Sequence, residues 1–258
     1  MTRLVCEIAE HLDTLLRTRE VPDYPGALNG LQVDHRGPVE GIAVAVDVSR
    51  RTIEDAARRG ANLLVVHHGL FWGGPQPLTG ALFGRVRSLI EADMALYSSH
   101  LPLDAHPLLG NNALLASELG LTVTRQFARF QGAMIGVAGD ADCTTESLVT
   151  AAGDLARRHG GTVRVSEMEP DRRTRRWAIC AGAGASTDTL REARDAGVDT
   201  LIAGEGPHHT AVEAPESGLT VIYAGHYATE TLGVHALGKH LAEEYGLPWS
   251  FVHAPTGL

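Results

Sequence analysis

Thiols are scarce in this chain. Cys6, Cys143 and Cys180 are odd in number and far apart, so they build neither a disulfide framework nor a CxxC metal knuckle, and a reducing cytoplasm is the expected compartment. Positive charge is short as well. The 22 Lys and Arg against 31 Asp and Glu leave a formal net charge of −9, a poor basis for gripping nucleic acid, where phosphate binding needs clustered cations. Only a gathering of Arg58, Arg59, Arg85 and Arg87 on one inner surface would reverse that expectation. No apolar run approaches the roughly 20 residues of a spanning helix, so no membrane partner is expected. Glu7, Glu10 and Asp13 interrupt the apolar residues of the N-terminus, unlike a signal peptide. H-E-x-x-H and the phosphate-cradling G-x-x-x-x-G-K-[ST] are both missing. Gly182-Ala183-Gly184 follows an expected strand, but Thr187 stands where a dinucleotide fingerprint needs its last glycine, so these glycines read as a strand-to-helix turn. Ser98 and Ser99 lie near histidines without a nucleophile elbow around them. Aromatic residues make up only 5% of the chain, whereas histidine occurs 13 times. Neutral imidazole is the commonest protein metal ligand, so the histidines direct the search.

The 258 residues, 44% of them hydrophobic, can bury a sizeable core as one large or two small domains. Leu4, Ile8, Leu12, Leu15 and Leu16 recur at helical spacing and predict a helix over about Thr2 to Thr18, ended by Pro22 and Pro25. Asn29-Gly30-Leu31-Gln32-Val33 reads as a loop. Residues 41–47 are short, β-branched and nearly all apolar, the pattern of a strand buried on both faces. Ser49 is a good N-cap for a helix over Arg51–Arg59, closed by Gly60. Residues 63–66 form a second buried strand, followed at once by His67-His68-Gly69. Strand, helix and strand in this order predict a βαβ unit and a parallel sheet. A helix over 81–93, a strand over 95–97 and a helix over 108–119 follow. The charged stretch Glu167–Arg176 reads as an exposed turn.

The second half repeats this plan. Ser49-Arg50-Arg51-Thr52 aligns with Ser186-Thr187-Asp188-Thr189, Gly60 with Gly197, Leu64 with Leu201, and Gly69 with Gly206. Further on, Ser98-Ser99-His100 aligns with Ala224-Gly225-His226. Asp104 follows His100, and Glu230 follows His226, at the same four-residue spacing. Any two βαβ units share Gly and Leu at similar places; the matched His-x3-carboxylate is the additional signal. The expected fold is therefore α/β, with two similar, pseudo-duplicated α/β modules and a metal site at strand C-terminal ends between them. The modules span residues 1–125 and 126–224. Residues 225–258 return to the first module as a C-terminal helix segment and complete the metal site.

In open α/β sheets ligands bind at the carboxyl ends of strands, where this reading places His67, His68, His100, Asp104 and His226. Neighbouring residues in a strict strand face opposite ways. At a strand end, His67 and His68 either line one cavity or merely cap the strand. His226 and Glu230 share a helix face at i and i+4, and a first-turn Glu is also what the helix dipole alone favours. Asp104, in a two-proline loop of rigid shape beside His100 and His106, is either a ligand or a partner for one of those histidines. His100 is the candidate proton-transfer group, holding Asp104 or a water, and His106 reads as an exposed loop residue. His208 and His209 either line the same cavity or start a surface helix. Three histidines and two carboxylates form a mixed N/O set suited to Zn, Fe, Mn, Ni or Co. Five ligands exceed the needs of one catalytic Zn. A bridged two-metal site supplies a hydroxide nucleophile and a Lewis-acid clamp, which is hydrolytic chemistry.

Five ordered segments carry a family resemblance. They are Asn29-Gly30-Leu31-Gln32-Val33; Val65-Val66-His67-His68-Gly69-Leu70-Phe71-Trp72; Ser98–His106 with Gly110-Asn111-Asn112; Gly204-Glu205 with His208-His209; and Gly225-His226-Tyr227-Ala228-Thr229-Glu230. Together, and across the whole chain, they resemble the Nif-three-like dinuclear metal centre family, whose members are often labelled GTP cyclohydrolase 1 type 2 homologues. The resemblance implies two divalent metal ions per chain, held by His67, His68, Asp104, His226 and Glu230, with Glu230 bridging. It also implies paired α/β domains and a ring-like homohexamer built from trimers, its metal sites facing an inner cavity. A regulator-like domain inserted in some members is not expected in a chain of this length. The implied function is metal-dependent hydrolysis of a nucleotide-like or phosphorylated small molecule, with the cyclohydrolase label as one form of it. The competing reading is a non-catalytic metal-binding or adaptor protein.

Overall fold

The computed structural model describes residues 3–74 and 76–258. Thr2, where the first expected helix begins, lies outside the described residues. The chain packs as two compact units, Met1–Leu103 with Gly233–Ala254, and Asp104–Leu232 with Pro255–Leu258.

The first unit contains α1 (Val5–Leu15), β1 (Gly30–Val33), β2 (Ile42–Asp47), α2 (Arg50–Arg58), β3 (Leu63–His68), α3 (Gly80–Glu91) and β4 (Ala95–Ser98). The short helix α4 (Leu101–Asp104) ends at the unit boundary. The second unit holds α5 (Asn111–Glu118), β5 (Arg125–Phe130), β6 (Ala133–Thr144), α6 (Thr145–Arg158), β7 (Arg164–Val165) and β8 (Arg173–Cys180). It continues with α7 (Thr187–Asp195), β9 (Thr200–Ala203), α8 (His208–Glu216) and β10 (Thr220–Tyr223). Helix α9 (His226–Tyr245) starts in the second unit and continues into the first, where β11 (Trp249–Phe251) follows it.

The sheet of the first unit has the order β1-β4-β3-β2-β11. Its β11, β2, β3 and β4 run parallel, and β1 lies antiparallel at the edge. The central strands are buried on both faces, as their continuous apolar runs require. Ala43, Ala45, Leu64, Val66 and Leu96 pack with Ile53 and Ala56 of α2 and Leu82 and Leu89 of α3. On the opposite face, Gly238 of α9 sits so close to Val44 and Trp249 that a β-carbon would collide with the indole.

The second sheet has the order β5-β6-β8-β9-β10-β7. Only β8, β9 and β10 run parallel; β5, β6 and β7 join antiparallel. Ala178, Cys180, Leu201 and Ala203 face Leu190 and Ala193 of α7 and Ala214 of α8. Trp177, Ile179, Ile202 and Ile222 face Leu115 and Ala116 of α5 and Leu148, Ala152 and Leu155 of α6. Helix α5, read from sequence as part of the first module, therefore shares the core of the second unit.

Three local expectations are corrected. Residues 30–33 form edge strand β1, not a loop; Gly30 takes a φ of +103°, and Leu31 pairs with Tyr97. The two-proline segment is not all loop, because Pro102 sits inside helical turn α4, where a missing N–H is tolerated. The charged stretch after Glu167 becomes strand at Arg173. There the Thr174 hydroxyl is buried and bonds those of Thr145 and Thr200 at 3.0 and 2.8 Å.

Candidate metal centre

The histidines of the candidate site, His67, His68, His100 and His226, lie at or just beyond the carboxyl ends of parallel strands. Strand β3 ends in His67 and His68, β4 leads to Ser99 and His100, β8 to Gly182, β9 to Glu205, and β10 to His226. The expected Ser49 cap is in place, and its aligned counterpart Ser186 caps α7 in the same way. Ser49 accepts a hydrogen bond from the Thr52 amide at 3.1 Å, and Ser186 from the Thr189 amide at 3.2 Å. Thr52 Oγ1 then donates back to Asp47 O at 3.0 Å, and Thr189 Oγ1 to Gly184 O at 2.7 Å. The two βα turns that follow Asp47 and Gly182 are thus built alike.

In the first unit His67, His68 and His100 come together. One ring nitrogen of each lies within 4.8 Å of the others, and the His67 and His68 ring centroids are 4.7 Å apart. Their position at the end of β3 brings two sequence neighbours into one cluster. His67 is fully buried, and its Nδ1 donates to Ser99 O at 2.9 Å. His68 Nδ1 contacts Asp47 Oδ1 at 2.9 Å, across the parallel register that pairs those two residues. His100 Nδ1 contacts Asp23 Oδ1, also at 2.9 Å. Asp23 Oδ2 accepts from the Leu101 amide and from Asn29 Nδ2, while Asn29 Oδ1 accepts from the His100 amide at 2.7 Å. Burial works to raise the Asp23 pKa, but His100, Asn29 and the Tyr24 amide outweigh it and hold it below the ordinary carboxylate value. The Asn29–Val33 motif thereby acquires a role. Its asparagine clamps the His100 backbone, and Gln32 Oε1 accepts from the Leu70 amide at 2.7 Å. Gly69 leaves room for the Gln32 amide, which a β-carbon would strike.

In the second unit His226 and Glu230 meet on the first turn of α9, with Nε2 and Oε2 3.1 Å apart. His226 Nδ1 contacts Glu205 Oε1 at 2.7 Å. Burial lowers the His226 pKa, but the Glu230 and Glu205 carboxylates prevail and raise it to about 9. Gly182, with φ +58°, lies against this pair; a β-carbon there would run into Glu230 Oε1. Asp104 is buried and accepts from Asn111 Nδ2 at 2.8 Å. Asn112 spans Asp104 O, Ile135 O and the Ala181 amide. The buried Cys180 thiol is pushed up to about 12 by burial and by the nearby carboxylates of Asp104, Glu192 and Glu230.

The four imidazoles share one arrangement. Nδ1 is engaged by an oxygen acceptor, from Ser99, Asp47, Asp23 or Glu205, so Nε2 is the nitrogen on the far side of each ring, and that of His226 faces Glu230 Oε2 at 3.1 Å. Oxygen partners of this kind fix the tautomer and orientation of metal-binding histidines, so the side chains fit a divalent metal. Strand ends explain two of the three carboxylate partners, since Asp47 closes β2 beside β3 and Glu205 follows β9 beside β10; sequence reading missed the role of all three. The other histidines stand apart from this pattern. His106 Nδ1 accepts from the Leu108 and Leu109 amides in its own loop. His208 and His209 are exposed and start α8.

Fold and side chains together define an α/β protein whose strand ends carry a histidine–carboxylate group able to hold a metal ion. The chain belongs to the Duf34/NIF3 (NGG1p interacting factor 3) family, whose model matches residues 4–255. It is 41% identical to a Deinococcus radiodurans protein named GTP cyclohydrolase 1 type 2 homolog, over 98% of this chain and 94% of that one. A Halobacterium salinarum protein of the same name is 42% identical over 98% and 99% of the two chains. A crystal structure of a Thermus thermophilus protein superposes with a TM-score of 0.85 at 36% identity, each chain covered completely. No helix among the described residues is long and apolar enough to cross a membrane.

Proposed function

We propose that the chain is a cytoplasmic metal-dependent hydrolase of a nucleotide-like or phosphorylated small molecule, with two divalent ions held by His67, His68, Asp104, His226 and Glu230. The observation that carries this reading is the shared Nδ1 anchoring of the imidazoles. Metal bound there supplies Lewis-acid polarisation and activates water. The chain's own groups do the rest. Asp47 and Glu205 orient His68 and His226, Asn111 holds Asp104, and Gly182 keeps space for the Glu230 carboxylate. His100, with Asp23 at its Nδ1, presents Nε2 as the proton-transfer group. A homohexamer and the cyclohydrolase label belong to the proposal through the family resemblance and the relatives' names.

The test is elemental analysis of protein purified without chelator, beside Glu230→Gln. Two metals per chain, falling in the variant, are expected. Absence of stoichiometric metal even after reconstitution overturns the five-ligand set, and two metals retained by Glu230→Gln overturn the bridging role. Turnover is then sought across phosphoesters and purine nucleotides. Holoprotein that keeps its metal and turns over nothing supports the non-catalytic metal-binding reading instead.

A further inference from the structure

The chain has few aromatic residues, yet two of the exposed ones border the histidine cluster of the first unit. Tyr24 is 53% exposed and Trp72 is 37% exposed. Both rings lean on His100: the Trp72 ring meets it edge-on with centroids 4.8 Å apart, and the Tyr24 ring lies 6.0 Å away at a shallow tilt. Trp72 also contacts the His68 ring at 5.5 Å. Neither ring is on a free-swinging loop. Trp72 Nε1 donates to Gly69 O at 3.0 Å, which fixes the indole over the turn that follows His68. The Tyr24 amide donates to Asp23 Oδ1, the oxygen that holds His100. The two segments are also tied to each other. The Leu28 amide donates to Phe71 O at 3.1 Å, and Gly26 packs so tightly on the Trp72 backbone that a β-carbon would overlap its carbonyl.

Apolar rings of this size are normally buried in a core. Here each is held in place while much of its surface stays open to solvent, beside the imidazole of His100 and, for Trp72, that of His68. An aromatic face fixed in this way is what base-binding proteins use, because every nucleobase has a π-face to stack on it. We propose that Tyr24 and Trp72 form a stacking platform that selects ligands bearing a planar heteroaromatic ring for the histidine cluster. The inference rests on the reading of that cluster as part of a metal-assisted reaction site. It narrows the substrate class from nucleotide-like or phosphorylated small molecules to those carrying a nucleobase-like ring.

The test compares AMP and GMP with ribose 5-phosphate on zinc-loaded protein. The sugar phosphate keeps the anion and lacks the ring. Binding is read by calorimetry and by quenching of tryptophan fluorescence, to which Trp72 contributes as the exposed indole beside buried Trp177 and half-buried Trp249. The nucleotides are expected to bind at least about tenfold more tightly than the sugar phosphate. Trp72→Leu and Tyr24→Leu each reduce that preference about fivefold or more, Trp72→Phe retains most of it, and metal content stays unchanged in all three. A native protein that binds the nucleotides no better than ribose 5-phosphate, or that binds neither, overturns the platform and leaves the metal reading standing. An undiminished preference in both leucine variants overturns it as well. Protein that takes up no zinc yet still prefers AMP through Trp72 overturns the metal reading and supports the platform.

Discussion

At the scale of single residues, the site depends on partners that never touch a metal ion in the proposed arrangement. Asp47 holds His68 through Nδ1, so Asp47→Ala is expected to weaken metal binding about 10- to 100-fold, read by competition with a chromogenic chelator. Gly182 combines a positive φ with contact against Glu230. Gly182→Ala is expected to cost about 1–2 kcal/mol in backbone strain and to lower metal content further by displacing the carboxylate. Thermal unfolding and elemental analysis of the same sample check both effects. Expected strand-end position and spacing singled out His67, His68, His100, Asp104, His226 and Glu230 while leaving a structural reading open beside each, and the family resemblance implied the five-ligand set. The roles of Asp23, Asp47 and Glu205 as imidazole partners were not legible, since each lies 21 or more positions from the imidazole it holds, and only the folded chain brings such pairs together.

At the scale of elements, the two βα turns make a matched pair. Ser49→Ala and Ser186→Ala each remove a side-chain acceptor from a helix N-terminus, and each is expected to cost about 1 kcal/mol. Denaturant unfolding of the two variants should show similar losses, since the hydrogen bonds they lose are alike. Strands β2 and β3 were legible as apolar runs, and β9, β10 and the end of β8 through their alignment with the first half, whereas the charged start of β8 read as a turn. Strand β1 was not: its four residues include Gly30 and Gln32, and its pairing with β4 is interrupted between Leu31 and Val33. The antiparallel strands β5 and β6 lacked a clear signal for a similar reason. They alternate exposed and buried residues irregularly, and their exposed faces carry ion pairs such as Arg125 with Asp140.

At the scale of the whole molecule, the first helix and the last meet within one unit. His11 of α1 and His240 of α9 place their Nε2 atoms 2.8 Å apart. Their ring planes are only 11° apart and their centroids 5.1 Å apart, longer than the nitrogen separation by about two ring radii, so the rings meet end to end and share a proton. Burial, and then the charge of His240, lower the His11 pKa below its ordinary 6.5, against the opposing pull of Glu244. A histidine with a lowered folded-state pKa binds its proton more readily when unfolded. The pair's contribution is therefore present above pH 6.5 and lost as pH falls through 6.5 toward the folded-state value. Thermal unfolding of chelator-treated protein from mildly alkaline to mildly acidic pH should show this loss, and His11→Gln should flatten the difference. The sequence places these two histidines at opposite ends of the chain, and no local pattern announces their contact.

The kinds of donor at the strand ends bear on which metal a preparation will contain. Among the described residues the groups that could hold a metal are made of His67, His68, His100, His226 and Glu230, so the donors are imidazole nitrogens and carboxylate oxygens. Such donors rank the divalent first-row metals by the ordinary affinity series and select little beyond it. The metal recovered with the protein is then set by supply: growth in iron-rich, manganese-rich or zinc-rich medium should yield three differently loaded proteins from one gene, and their activities, compared side by side, would identify the working ion.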